Sequence, residues 1–198
     1  MGEVPVIEVA ALYVDVKGGP YPHIPGVECW GLPYRDARQY AGPWPVVAHP
    51  PCGPWGRLRH LSKNHDPYLA LIAVDQVREW RGVLEHPAGS LLWDAVAMPR
   101  PGQPSDQFGG VTVEVNQVEW GHACVKPTWL YLVGVETTPA PPFPDRKPTH
   151  GIWYGDFERS GGAGPVLLGA SKEIRRRTPP LFARWLVDLA KLARKEAA

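Results

Sequence analysis

The segment His49-Pro50-Pro51-Cys52 is where residue types and spacing in this chain could do chemistry. The two prolines fix φ at their own positions, and the glycines of Gly53-Pro54-Trp55-Gly56 allow close approach by another backbone or a planar ligand. A cysteine at so rigid a turn can act as a nucleophile where its surroundings favour the thiolate; the same pattern also describes a small buried cysteine beside a tight turn. Further on, Val83-Leu84-Glu85 is a short apolar run that ends in a carboxylate and is closed by His86-Pro87. A carboxylate in such a place needs a partner. Glu85 either makes a salt bridge to His86, Arg57 or Arg59, or it orients a nucleobase. In the second case it accepts a hydrogen bond from an exocyclic amine or, when protonated, donates one to a ring nitrogen. A thiolate and a carboxyl group at one sheet edge suit addition to a pyrimidine. The sulfur attacks C6, the acid relieves charge developing at N3, and C5 becomes nucleophilic.

The two groups meet only if their strands are neighbours. Pro45-Val46-Val47-Ala48 reads as a short buried strand stopped by Pro50-Pro51, which leaves Cys52 just past a strand end, where ligands bind in open α/β sheets. The clearest helix follows: Asp66 caps it, Pro67 suits its first turn, and Leu69, Ile72, Ala73, Gln76, Val77 and Trp80 share one face, with Gly82 as the stop. The strand ending at Glu85 comes next, and strand, helix, strand in this order predicts parallel pairing. Upstream, Val6 to Val16 reads as one strand or two, ended by Gly18-Gly19-Pro20. Tyr21 to Pro45 reads mostly as loop, with a short strand near Val27 and a helical turn at Asp36 to Tyr40. Downstream, Pro99 to Gly110 is irregular, and Val111 to Val118 and Trp129 to Val135 read as a strand pair turning about Trp120 to Pro127. Residues 137–164 form a long loop or small insertion, with a short strand at Gly151 to Tyr154. Thr178 caps a last helix opened by Pro179 and Pro180, whose stripe of Phe182, Trp185, Leu186, Leu189 and Leu192 serves internal packing or dimerisation. The expected fold is α/β and abbreviated Rossmann-like: a mostly parallel sheet with helical cover and a C-terminal helix, in a single domain over residues 1–198.

Composition agrees with one well-buried core. At 198 residues with 44% apolar and 21% charged side chains, the chain is globular, and its 24 prolines, spread without a repeat, indicate rigid irregular connections instead of disorder. A formal charge of +1 advertises no general affinity for polyanions. Two local basic clusters, Arg57-Arg59-His60-Lys63 and Lys172-Arg175-Arg176-Arg177, are either phosphate-facing or ordinary solvated charge. Cys29, Cys52 and Cys124 leave one thiol unpaired in any scheme, as expected of reduced cysteines in the cytoplasm, and no apolar run approaches a membrane span.

At this point the residues carry a family resemblance. Pro50-Pro51-Cys52 resembles the proline-cysteine motif of DNA cytosine C5-methyltransferases, and Leu84-Glu85-His86-Pro87 resembles their glutamate motif with the usual asparagine-valine replaced. Val27-Glu28-Cys29-Trp30 and Arg35-Asp36-Ala37 are similar to that family's acidic-aromatic segment and acidic loop. Gln117 through Lys126-Pro127-Thr128 resembles the segment that brings a basic residue to the flipped cytosine, and Arg176 through Ala183 resembles the C-terminal motif. The resemblance implies methyl transfer to cytosine C5 in DNA, with Cys52 as nucleophile and Glu85 as base-orienting acid. It also implies that His49, Arg57 and Arg59 lower the thiol pKa or hold phosphate, and that Lys126 or His122 contacts the base or phosphate. Asp15, Gly18, Glu28 and Asp36 would line a site for S-adenosylmethionine; no metal is assigned. Tyr13 to Gly19 only faintly replaces the family's glycine-rich cofactor loop, and the target-recognition domain is missing. The cofactor pocket is then abbreviated, supplied by a protein partner, or lost, and a partner would supply target recognition. Two other readings stand beside this one. In the first, the same addition chemistry serves another donor or a pyrimidine nucleotide. In the second, a non-catalytic nucleic-acid- or protein-binding derivative presents Trp30, Trp44, Trp55, Trp93 and Trp120 as stacking or interface surfaces.

Overall fold

Short runs of Val, Ala and Leu, each buried along its whole length, form the centre of the molecule. The structure is a computed structural model that describes residues 6–57, 59–63, 66–136, 138–151 and 168–193. Strands β1 (Val9–Leu12), β2 (Val27–Trp30), β3 (Val46–Ala48) and β4 (Gly82–Pro87) pair in parallel. Strands β5 (Gly110–Asn116) and β6 (Pro127–Val133) complete a six-stranded sheet in the order β2-β1-β3-β4-β6-β5, with β6 antiparallel to both its neighbours. The sheet is mixed and mostly parallel, and helices cover it.

Side chains alternate across a strand, so each run serves two cores. Ala10, Leu12, Val46, Ala48 and Leu84 face helix α1 (Tyr68–Trp80), which buries Ala70, Ala73, Val74 and Val77 against them. Val9, Ala11, Val47, Val83, Leu130 and Leu132 face the C-terminal helix, which buries Phe182, Leu186 and Leu189. Each fully buried leucine on that stripe contributes about 1.5–3 kcal/mol. The C-terminal helix therefore packs internally. Its last expected stripe residue, Leu192, is 57% exposed, because the buried face continues through Leu189, Ala190 and Ala193 and leaves Leu192 outside it.

Several boundaries differ from the sequence expectation. Asp66 does not cap α1, whose cap position is Pro67 with no side-chain cap bond; Asp66, one residue earlier, accepts the Tyr68 N–H on its Oδ1 at 2.9 Å. Gly82 does not stop that helix; Arg81, at φ +64, does so. Gly82, at φ +115, opens β4, and a Cβ there would stand 2.1 Å from the Val46 carbonyl oxygen. Thr178 does not cap the last helix, which starts at Pro180 after Pro179 with no side-chain cap. Two short helices escaped the sequence reading, α2 (Leu92–Ala95) and α3 (Lys172–Arg176), the latter capped by Ser171 Oγ on the Ile174 N–H at 3.2 Å, as did strand β8 (Leu168–Gly169), which pairs in parallel with β7 (His150–Gly151) at the start of the strand expected from Gly151. With these named, the C-terminal helix Pro180–Leu192 is α4. Of the strand expected at Gly151 to Tyr154, and of the loop at 137–164, residue 137 and residues 152 onward lie outside the described residues. Trp93 and Trp120 are buried, one in each core, and Trp30 and Trp55 are half-buried against the core under α1. Among the described residues, no helix is long and apolar enough to cross a membrane.

The sheet order places a switch point between β1 and β3. The chain leaves β1 for β2 on one side and β3 for β4 on the other, so the connections diverge beyond the C-terminal ends of β1 and β3. His49 and the turn carrying Cys52 follow β3 into that place.

The Gly82 geometry yields a test. Gly82→Ala should destabilise the protein by more than about 1 kcal/mol in urea unfolding, since it combines an unfavourable φ with a backbone collision. A stability equal to that of the parent would contradict the close β3–β4 approach.

Candidate functional site

Register places the two central side chains. Val47 pairs with Val83 and Ala48 with Leu84, so the next residues along, His49 and Glu85, are neighbours on the face covered by α4. Both side chains are only 12% exposed, and His49 Nδ1 lies 3.0 Å from Glu85 Oε2. The other ring nitrogen, Nε2, is 2.5 Å from the hydroxyl of Tyr21, which lies in the β1–β2 connection and is 2% exposed. On its far side Glu85 Oε1 accepts a hydrogen bond from Gln117 Nε2 at 2.9 Å, and the same amide donates to Thr128 Oγ1 at 3.0 Å. A continuous chain of polar groups, Tyr21–His49–Glu85–Gln117–Thr128, thus crosses the C-terminal edge of the sheet. Glu85 does form a salt bridge, but its partner is His49 and none of the three residues expected.

This setting decides the state of Glu85. Burial alone would raise its pKa, but the hydrogen bond from His49 and the positive charge of Lys126 outweigh it and hold the carboxyl at about 2. Glu85 is therefore a carboxylate, an acceptor on both oxygens. His86, fully buried beneath it, is driven by burial down to about 4 and is neutral. Its Nδ1 meets Ser90 Oγ at 2.8 Å, which ties β4 to the start of α2.

Cys52 stands at the rim. Its carbonyl accepts the N–H groups of Trp55 at 3.1 Å and Gly56 at 2.8 Å, and Trp55 in turn accepts the Leu91 N–H at 3.0 Å, so the turn is fastened beside α2. The residue is exposed, yet its thiol is crowded enough that desolvation, followed by the negative charge of Glu85, pushes its pKa up. Lys126 and Arg176 pull the other way. Those four side chains therefore share one electrostatic neighbourhood at the strand ends. The cations that act on the thiol are Lys126, in the β5–β6 connection, and Arg176, on α3. Arg57 and Arg59 are exposed, on and near a turn of 3₁₀ helix at Arg59–Leu61.

Lys126 is held by its backbone, its N–H donating to Asn116 Oδ1 at 2.9 Å and its carbonyl accepting from Gln117 N–H and Thr128 Oγ1. His122 is 3% exposed and its Nδ1 sits 3.0 Å from both the carbonyl and the N–H of Cys124; it braces the turn and offers no open surface to a phosphate. Cys29 and Cys124 are free but withdrawn, the first half-buried and raised to about 11 by desolvation.

The residues assigned to S-adenosylmethionine lie elsewhere and are already engaged. Asp15 Oδ1 accepts the N–H groups of Lys17 at 2.9 Å and Gly18 at 3.0 Å, closing a turn of the chain on itself. A Cβ on Gly18 would meet the Asp15 carboxylate, so this glycine serves the turn. Glu28 binds Arg35 and the indole N–H of Trp30, and Asp36 caps a 3₁₀ turn while binding Arg38. This set does not fit an adenosyl group. Among the described residues, no group of three or more His, Cys, Asp and Glu could hold a metal. An open concavity of about 530 Å³, lined by Trp93, Asp94, Met98, Arg100 and Asp106 among others, contains none of the residues above.

The charge arrangement predicts the reactivity of the thiol. Alkylation of Cys52 by iodoacetamide, followed by peptide mass spectrometry, should be slow at neutral pH and rise steeply on the alkaline side of the ordinary thiol range. Glu85→Gln should speed it at fixed pH, and Lys126→Ala should slow it. Fast alkylation at neutral pH that is indifferent to Glu85→Gln would contradict the arrangement.

Compared with known proteins, the chain matches no protein-family model, no curated protein and no solved structure.

Proposed function

We propose that this chain activates a pyrimidine base, with cytosine in DNA as the leading substrate, by covalent addition of Cys52, so that the base can be modified at C5. The observation that carries this reading is the placement of Cys52 just past β3 and of Glu85 in the adjacent parallel strand β4, near enough for the charges of Glu85, Lys126 and Arg176 to act on the thiol. The sheet order, with its switch point between β1 and β3 and its antiparallel strand next to β4, supports an abbreviated Rossmann-like, methyltransferase-like domain.

The addition starts when the Cys52 thiol gives its proton to solvent. Sγ then bonds to C6, the C5=C6 electron pair moves toward N3, and N3 takes up a proton. Glu85, an acceptor, orients the base through the exocyclic amine, and Lys126 opposes the negative charge that develops on the ring. C5 is now nucleophilic and takes an electrophile. Loss of the C5 proton, expulsion of the thiolate and release of the N3 proton restore the aromatic base. A base inside a duplex must first leave the stack, and the exposed Arg57, Arg59 and Arg176 suit the phosphates on either side of it. Sequence selection on DNA falls to a protein partner. Three free thiols suit a reducing, cytoplasmic setting.

Methyl transfer from S-adenosylmethionine follows from the family resemblance alone. The engagement of Asp15, Glu28 and Asp36 by the chain itself favours a second reading, in which the same addition serves another donor or a free pyrimidine nucleotide.

Release of tritium from [5-³H]cytosine tests the addition without presupposing a donor. Single- and double-stranded oligonucleotides and the free nucleotide would each be incubated with the protein, with and without labelled S-adenosylmethionine. We expect release that falls to background in Cys52→Ala; label appearing at C5 would establish the methyl donor. No release from any of these substrates would overturn the reading.

A further inference from the structure

Resting on that reading, we propose that His86 is a positioning residue for the nucleophile: together with Ser90, its ring holds the Pro51-Cys52 turn at a fixed place relative to Glu85. Side chains alternate along β4, so Glu85 faces the α4 side of the sheet with Val83, and His86 faces the α1 side with Leu84. Two successive residues of one strand thus serve the two halves of the site. Glu85 meets the base, and His86 supports the backbone that carries the thiol.

His86 is wholly buried, and a buried imidazole must account for both of its nitrogens. Nδ1 lies 2.8 Å from Ser90 Oγ, and the same oxygen accepts the Leu92 N–H at 3.2 Å. The serine still has its own O–H to give, and Nδ1 is the acceptor beside it. The proton of the neutral ring is then on Nε2. Among the described residues Nε2 has no hydrogen bond of ordinary geometry, and the backbone acceptor that acts on the ring is the carbonyl of Pro51, the residue before the thiol. The opposite tautomer would set a lone pair against that carbonyl and leave the serine proton without a partner. A buried N–H short of its partner favours every small approach of the turn toward it, because closing that bond removes the cost of an unmet donor.

The far end of the turn is fastened to the same segment. Leu91 N–H donates to the Trp55 carbonyl at 3.0 Å, and the N–H groups of Trp55 and Gly56 donate to the Cys52 carbonyl at 3.1 and 2.8 Å. The segment between β4 and α2 is itself tied down, Ser90 N–H donating to the Pro87 carbonyl at 3.2 Å and Ala88 N–H to the Pro127 carbonyl at 3.1 Å. Cys52 therefore stands between two supports, Pro51 over His86 and Trp55 over Leu91, which are joined through Ser90. The fixed φ of Pro50 and Pro51 leaves the turn few other ways to move. Attack at C6 needs Sγ aligned with a ring that Glu85 already holds, and a misplacement of about 1 Å costs on the order of 100-fold in rate. His86 transfers no proton in this role; it stays neutral because it is buried.

The kcat and KM of tritium release test the positioning. His86→Leu fills the space without a donor, and His86→Gln returns an N–H to the place of Nε2. We expect kcat in His86→Leu to fall by about 100-fold with KM changed by less than about threefold, and His86→Gln to recover about tenfold of that loss. Ser90→Ala, which removes a single oxygen, should lower kcat by up to about tenfold. A folded His86→Leu protein with kcat within about twofold of the wild type, or a His86→Gln protein no faster than His86→Leu, overturns the positioning and leaves the reading beneath it standing. No release by the wild type overturns both. Ring ¹⁵N shifts of His86 in the wild type add a check that no variant can spoil by failing to fold. The Nε2–H form should be present at neutral pH, and the Nδ1–H form overturns the proposal.

Discussion

The parallel pairing of β3 with β4 is the constraint on which the rest of the structure depends. It is close enough that only glycine fits at position 82, and its register fixes the parity of every side chain beyond it. Because Val47 and Val83 face the same core, His49 and Glu85 must also share a face, one step past the last paired residues. The resulting hydrogen-bonded pair is mostly buried, and such a pair is tolerated only when its remaining donors and acceptors find partners. Tyr21 and Gln117 supply them from two different connections, with Thr128 holding the Gln117 amide. One register thus recruits the loops after β1 and β5 to the same edge of the sheet.

The same negative charge has two consequences for Cys52. It raises the thiol pKa, which costs nucleophile at neutral pH, and it creates the need for the cations that flank the site. Lys126 lowers the pKa of both groups, so the two acidic groups are coupled through it as well as directly. For stability the sign is clear. Glu85 ionises more easily in the folded chain than in the unfolded one, so its contribution is full above the ordinary carboxylate range and is lost as the pH falls toward about 2. The pair that shapes the site therefore also helps to hold the fold together at neutral pH.

Features set by local chemistry were readable in the sequence. Pro50-Pro51 ends a strand because proline cannot pair onward. Asp66 marks the start of a helix because its carboxylate reaches the N–H two residues on, just ahead of the cap position at Pro67, and the three-and-four spacing from Leu69 to Trp80 marks the face that packs. Features set by contacts between distant segments were not. Nothing near Tyr21 announces that its hydroxyl meets His49. Gln117, although it opened a segment of the resemblance, gave no sign that its amide would face Glu85. The only available hint was a polar side chain among valines, at Val115-Asn116-Gln117-Val118, where burial demands a partner. Asp15 and Asp36 misled for the opposite reason: short acidic side chains beside turns bind their own backbone before they bind anything else. Helix α3 was missed although Ser171, three residues before Ile174, carried the signal of a cap.

The central claim is that Cys52 adds to a pyrimidine held by Glu85. Its most direct test is the intact mass of the protein after incubation with an oligonucleotide carrying 2-pyrimidinone, a base that lacks the exocyclic amine and accepts a thiol at C6 without needing a second substrate. The account predicts one protein–oligonucleotide adduct, mapped to the peptide that contains Cys52. A folded protein that forms no adduct, or forms one only through Cys29 or Cys124, would contradict it.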